Sequence, residues 1–109
     1  MSEPTVLRRW TGWIRPADRE AYQAYLEQTG LREYYETPGN LGAWAVYRDL
    51  AADRCEVTTL SLWRSRDDIE AFAGADISRA VFYPEDDRFL IGRETTVDHF
   101  DVGTANHHF

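Results

Sequence analysis

Residues Leu41–Arg64 read LGAWAVYRDLAADRCEVTTLSLWR. Two runs rich in β-branched, Leu and Trp residues, Leu41–Leu50 and Cys55–Arg64, flank Ala51–Arg54, which predicts two antiparallel strands joined by a short turn. The segments on either side of this hairpin decide the fold. Upstream, Thr5–Ile14 (TVLRRWTGWI) has the composition of a strand. Pro16 follows, a residue that helices accept in their first turn. Ala17–Gln28 then places Ala21, Tyr22, Tyr25 and Leu26 on one stripe, with Thr29-Gly30 as its expected stop. Glu36–Gly42 (ETPGNLG) reads as a loop. Downstream, Ser65 is a helix N-cap with Asp68 three residues later, and the helix Arg66–Ala73 ends at Gly74. A second helical piece is expected over Asp76–Tyr83, stopping before Pro84. Pro84–Leu90 supplies one more turn before a last strand, Glu94–Val102, and Gly103–Phe109 is expected to fray. The order is β-α-β-β-α-β, an α+β chain with a ferredoxin-like antiparallel sheet and two helices on one face. It reads as one domain spanning residues 1–109.

A sheet with one wet face alternates apolar and polar residues. Here both faces carry large apolar groups. Val6, Trp10 and Ile14 oppose Leu7 and Trp13; Val57 and Trp63 oppose Leu60 and Leu62; Val97 opposes Phe100 and Val102. Helices cover one face only, so a homodimer packed through the other face is expected. The chain also holds four Trp, six Tyr and five Phe in 109 residues. Each aromatic buries roughly 150–250 Å², more than a domain of this length needs, which leaves area for an interface or a pocket.

Charge narrows the partners. The formal net charge is −7, and all 12 basic residues are Arg. That balance argues against nucleic acid, which demands clustered positive charge, and against an anionic membrane surface. Cys55 is the single cysteine, so no internal disulfide forms, and no Cys/His spacing resembles a structural zinc site. No apolar run resembles a signal peptide or a bilayer span, so a cytoplasmic protein is expected.

A series of short motifs runs through the chain: Trp10-x-Gly12, Pro38-Gly39-Asn40, Leu62-Trp63-x-Ser65, Phe72-Ala73-Gly74-x-Asp76, Tyr83-Pro84-Glu85-Asp86-Asp87, Phe89-Leu90 and Glu94-x-Thr96-Val97-x-His99. Together they resemble the antibiotic-biosynthesis-monooxygenase-like proteins of the dimeric α+β barrel superfamily. The resemblance implies that fold and a dimer, and it brings in cofactor-free oxygenases of phenolic polyketides, polyketide cyclases, haem-degrading oxygenases and small stress-related proteins. Two departures bear on the reaction. Haem-degrading members carry a His ligand on the second helical region, and Arg66–Tyr83 contains none. Several oxygenases place an Asn on the first strand, whereas the Asn residues here are Asn40 and Asn106.

His99, inside the last strand, is the leading candidate for a general base, since neutral imidazole takes up a proton near neutral pH; pairing with Asp101 or a carbonyl is the structural alternative. Arg8 shares a face with Trp10 and is the candidate for holding a phenolate or developing oxyanion, against a rim ion pair. Tyr83, at the break before Pro84, is a third candidate for the chemistry. Trp10, Trp63, Tyr22, Phe72 and Phe82 are candidates for walls around a flat aromatic substrate, with ordinary core packing as the alternative for each. Which face carries Trp10, Trp63 and His99 depends on strand register. Glu85-Asp86-Asp87 reads as a solvated helix start, and a His107-His108-Asp101 metal site is disfavoured by the short tail.

Three functions remain open: a cofactor-independent monooxygenase of a hydrophobic phenolic or polyketide-like molecule, a cyclase or isomerase of such a molecule, and a non-catalytic ligand-binding or structural dimer. A fully packed space between sheet and helices favours the last.

Overall fold

A computed structural model describes residues 5–105 of the chain. Strand β1 (Thr5–Ile14) leads through a 3-10 turn at Pro16–Asp18 into helices α1 (Arg19–Gln28) and α2 (Gly30–Glu36). The hairpin β2 (Asn40–Ala51) and β3 (Arg54–Trp63) follows, then α3 (Arg66–Ala73), the single turn α4 (Asp86–Phe89), and strands β4 (Leu90–Arg93) and β5 (Asp98–Val102). The sheet order is β2-β3-β1-β4, all neighbours antiparallel, with β5 also pairing β1. Because β4 pairs Gly12–Ile14 and β5 pairs Thr5–Arg9, the two lie end to end along one edge of β1. The arrangement is the expected ferredoxin-like α+β sheet, its fourth strand broken in the middle.

Several local expectations are corrected. The hairpin turn contracts to Ala52–Asp53, and β2 begins at Asn40, inside the expected loop. Thr29-Gly30 kinks the chain without stopping it. The Glu33 amide donates to the Thr29 carbonyl and restarts a helix, while Gly30 is buried against Leu26 and Tyr83. No helix forms over Asp76–Tyr83. There the Ser78 amide and hydroxyl both donate to Asp76 Oδ1, a local turn that competes with helical bonding. The backbone beyond instead bonds to the break in the fourth strand, Ala80 N to Thr95 O and Val97 N to Ser78 O. That pairing pulls Thr95–Val97 out of the sheet, while the Glu94 amide still donates to the Thr11 carbonyl of β1, so the single strand expected over Glu94–Val102 divides. By contrast, α3 starts as expected, the Ser65 hydroxyl accepting from the Asp68 amide, and ends at Gly74 with φ 88°.

One face of the sheet packs against the helices. Its core joins Trp10, Ile14, Tyr22, Leu26, Val57, Phe89 and Leu90 at one end, and Val6, Tyr34, Trp63 and Ile69 at the other. The opposite face carries Leu7, Trp13, Trp44, Val46, Leu60, Leu62 and Phe100, and no element among the described residues covers it. Trp44, Val46 and Phe100 there are 46%, 48% and 45% exposed. No helix among the described residues is long and apolar enough to cross a membrane. Asn106, His107 and His108 lie outside the described residues.

Candidate functional site

Strand alternation and register together place the candidate side chains. On β1 the even-numbered residues face the helices, and pairing sets Arg8 opposite Ser61 on β3 and His99 on β5, Trp10 opposite Thr59, and Val6 opposite Trp63. Directly opposed residues of an antiparallel pair share a face. Arg8, Trp10, Trp63 and His99 therefore all lie on the helix side.

Arg8 is 2% exposed. Its Nη1 donates to the Ile77 carbonyl at 2.6 Å and lies 3.1 Å from His99 Nε2; Nη2 donates to the Arg79 carbonyl at 3.1 Å. The Nε–H has no acceptor, and no carboxylate pairs with the guanidinium among the described residues. The group also stacks 5.8 Å from the Phe72 ring centroid. Burial lowers the Arg8 pKa, against the opposing influence of the Tyr34 hydroxyl. An arginine nevertheless stays charged in a protein, so among the described residues this positive charge is answered by two carbonyls, one imidazole and an aromatic face, and by no anion. Because the guanidinium only donates, His99 Nε2 must be the acceptor, which fixes the Nδ1–H tautomer. Burial, then Arg8 and Arg66, lower the His99 pKa, and Asp98 offsets part of this, so the imidazole is neutral at pH 7.

Arg8 lines a cavity between sheet and helices. About 40 Å³ of it is open to the centre of a water molecule, room for roughly three waters. Trp10, Tyr22, Phe72, Phe82 and Tyr83 line it as well, so six of the eight candidate residues converge on one space. Trp63 and His99 are not among its walls. Trp63 is fully buried, donates to Ser61 Oγ at 2.8 Å and packs 5.8 Å from Tyr34 and 5.9 Å from Phe72, behind the cavity. His99 stands behind Arg8, its Nε2 lone pair occupied by that contact.

Among the walls outside the candidate set, two bear on the chemistry. Tyr34 sits on α2, a helix the Gly30 stop signal hid. Asp86 belongs to the supposedly solvated acidic run, yet it is 5% exposed and lines the cavity. Its Oδ2 accepts the Tyr83 amide at 2.6 Å, the reach-back of a carboxylate to an amide three residues earlier, and Oδ1 accepts the Tyr25 hydroxyl at 2.9 Å. The Tyr83-Pro84-Glu85-Asp86 spacing carried that signal. Burial, and secondarily Asp86, raise the Tyr22 pKa; burial and the hydrogen bond to Glu33 raise that of Tyr83. Both phenols stay protonated. The Tyr83 hydroxyl donates to Glu33 Oε2 at 2.5 Å, and Tyr83 also lines an open surface groove with Glu33, Arg32 and Gln28, so it is the partition between cavity and groove.

No protein-family model and no curated protein matches the chain. Solved structures do. A Bacillus cereus protein named as a candidate antibiotic biosynthesis monooxygenase superposes with a TM-score of 0.64 at 12% identity, over 96% of this chain and 99% of that one. A protein from an uncultured marine organism, described as dimeric and ferredoxin-like, gives 0.63 at 15% identity, over 95% and 100%. Rv0793 from Mycobacterium tuberculosis gives 0.53 at 15%, over 94% and 97%. At such identities the likeness is one of architecture: over nearly its whole length the chain has the ferredoxin-like α+β fold of these proteins.

Proposed function

We propose that the chain is a cofactor-independent monooxygenase of a small phenolic or polyketide-like molecule, working as a homodimer. The observation that carries this reading is Arg8: a buried charge with no carboxylate partner and no acceptor for its Nε–H among the described residues, in the wall of an apolar, aromatic cavity. Such a group favours the ionised form of a bound phenol or enol, because an opposite charge in a water-poor site lowers its pKa. Arg8 thereby draws the substrate in as its electron-rich anion. His99 supports the step by holding Nη1, and the carbonyls of Ile77 and Arg79 hold the rest of the fork.

The anion's ring carbon then forms a bond to dioxygen. Cleavage of the O–O bond leaves one oxygen as a new carbonyl and releases the other as water. For a ring CH₂ becoming C=O, the substrate supplies all four electrons and both protons of the water, so no external reductant is required. The cavity has room for only roughly three waters at rest, so a ring enters as Phe82 and Tyr83 swing aside. They belong to the irregular segment before α4, and Phe82 is already 38% exposed. The apolar outer face with Trp44, Val46 and Phe100 supports the dimer, as does the description of one structure of the same fold as dimeric.

The test is oxygen uptake with anthrone-type substrates, whose ring CH₂ becomes the carbonyl, with one equivalent of O₂ consumed per carbonyl formed. Turnover unchanged under argon would replace this reading with a cyclase. The small resting volume favours one second reading, a non-catalytic ligand-binding dimer, which ligand binding without turnover would establish.

A further inference from the structure

Asp86 is the second buried ionisable side chain of the cavity, and it has no cationic partner among the described residues. Its oxygens accept one donor each, Tyr25 Oη–H and Tyr83 N–H. A carboxylate has about four acceptor positions, so capacity remains on a side chain that lines the cavity. Arg8 and Asp86 line the same space and form no ion pair with each other. The walls joining them are aromatic and aliphatic: Trp10, Tyr22, Phe72 and Val97. A cation with an unused N–H and a carboxylate with unused lone pairs are thus separated by flat apolar surface.

We propose, building on the reading of this cavity as a substrate site with Arg8 at its anionic end, that its ligand is two-ended: an aromatic ring with an ionised oxygen at Arg8 and a hydroxyl donating to Asp86. Asp86 is then a specificity-determining residue. A ligand with an anionic end alone sets an apolar atom against the carboxylate and forfeits that bond. A site built to bond a substrate hydroxyl rejects the analogue lacking it far more strongly than an apolar pocket rejects an extra methyl.

The test titrates the full chain with three probes, following the indole N–H of Trp10 by NMR, with that of Trp44 on the opposite face as control. The probes are 4-hydroxybenzoate, 4-methylbenzoate, which replaces the donor by a methyl, and 4-hydroxybenzamide, which removes the charge. The expected result is 4-hydroxybenzoate binding about tenfold or more tighter than either analogue. Asp86→Asn narrows the hydroxyl preference and keeps the preference for charge. Should that variant not fold, the ratios on the unaltered chain decide alone. Equal affinity for 4-hydroxybenzoate and 4-methylbenzoate, equal affinity for 4-hydroxybenzoate and 4-hydroxybenzamide, or no Trp10 shift with any probe overturns the proposal. Oxygen uptake is read separately: a chain that discriminates the probes but consumes no oxygen loses the oxygenase reading and keeps the two-ended cavity.

Discussion

His99 Nε2 lies 3.1 Å from Nη1 of Arg8, and the two residues face each other directly across the β1–β5 ladder. The contact requires a neutral imidazole, since protonation would set two cations against each other. Burial and Arg8 keep the folded-state His99 pKa below its ordinary value near 6.5. The unfolded chain therefore binds the proton more readily, and the stabilisation is present above about pH 6.5 and lost as pH falls through the folded value. Denaturant midpoints between pH 7.5 and 5 are expected to decline, and His99→Gln, which still offers an acceptor, to flatten that decline. An unchanged slope in the variant rejects the assignment.

Arg8→Met replaces the buried guanidinium with an apolar chain of similar length. The carbonyls of Ile77 and Arg79 lose donors, at about 1–3 kcal/mol per unsatisfied group, while removal of an uncompensated buried charge works in the other direction. Thermal melts are expected to show a modest shift. Oxygen uptake is expected to fall by about two orders of magnitude, as when one oxyanion donor is removed. Activity within threefold of the parent would exclude Arg8 from the chemistry.

Tyr83→Phe keeps the partition and removes its bond to Glu33. That bond is solvent-exposed, so stability is expected to change by less than about 1 kcal/mol. Stopped-flow binding of 4-hydroxybenzoate should become faster, because the wall opens more readily. Association no faster than in the parent would argue that ligands enter elsewhere.

Trp44→Glu places a charge in the middle of the open sheet face, beside Leu60 across the β2–β3 ladder. Sedimentation of the parent is expected to give a dimer and of the variant a monomer with an intact circular dichroism spectrum. A parent chain that sediments as a monomer would reject the interface outright.

Trp63→Ala tests the wall behind the cavity. Trp63 is fully buried against Tyr34 and Phe72, so truncation should cost about 3–5 kcal/mol by chemical denaturation. A loss below 1 kcal/mol would mean that the surrounding rings collapse into the space.

The hairpin, the Ser65 cap and the Gly74 stop were legible because each depends on neighbours in sequence. The six converging residues were legible as types, five aromatics and one arginine, but not as a set, since they come from β1, α1, α3 and the irregular segment before α4, which only the fold brings together. The Asp76–Tyr83 helix failed because Ile77, Val81 and Phe82 have helical spacing while the backbone between them, at Ser78 and Ala80, is claimed by Val97 and Thr95 from a remote segment. Asp86 was misjudged for a similar reason. Three consecutive acids look solvated; the three-residue spacing from Tyr83 marks Asp86 as the one that reaches back, and the fold shows it buried.

The break in the fourth strand has a consequence for how such a molecule can change. After Glu94 the chain leaves the sheet; the Trp10 indole donates to the Glu94 carbonyl, and Val97 enters the cavity wall. The two halves of that strand, Leu90–Arg93 and Asp98–Val102, hold their own registers on β1. A residue gained or lost in the detour would resize the chamber while leaving both halves in step. Chamber volume and sheet integrity are thereby decoupled, so one scaffold can be refitted to ligands of different bulk by editing a single bend.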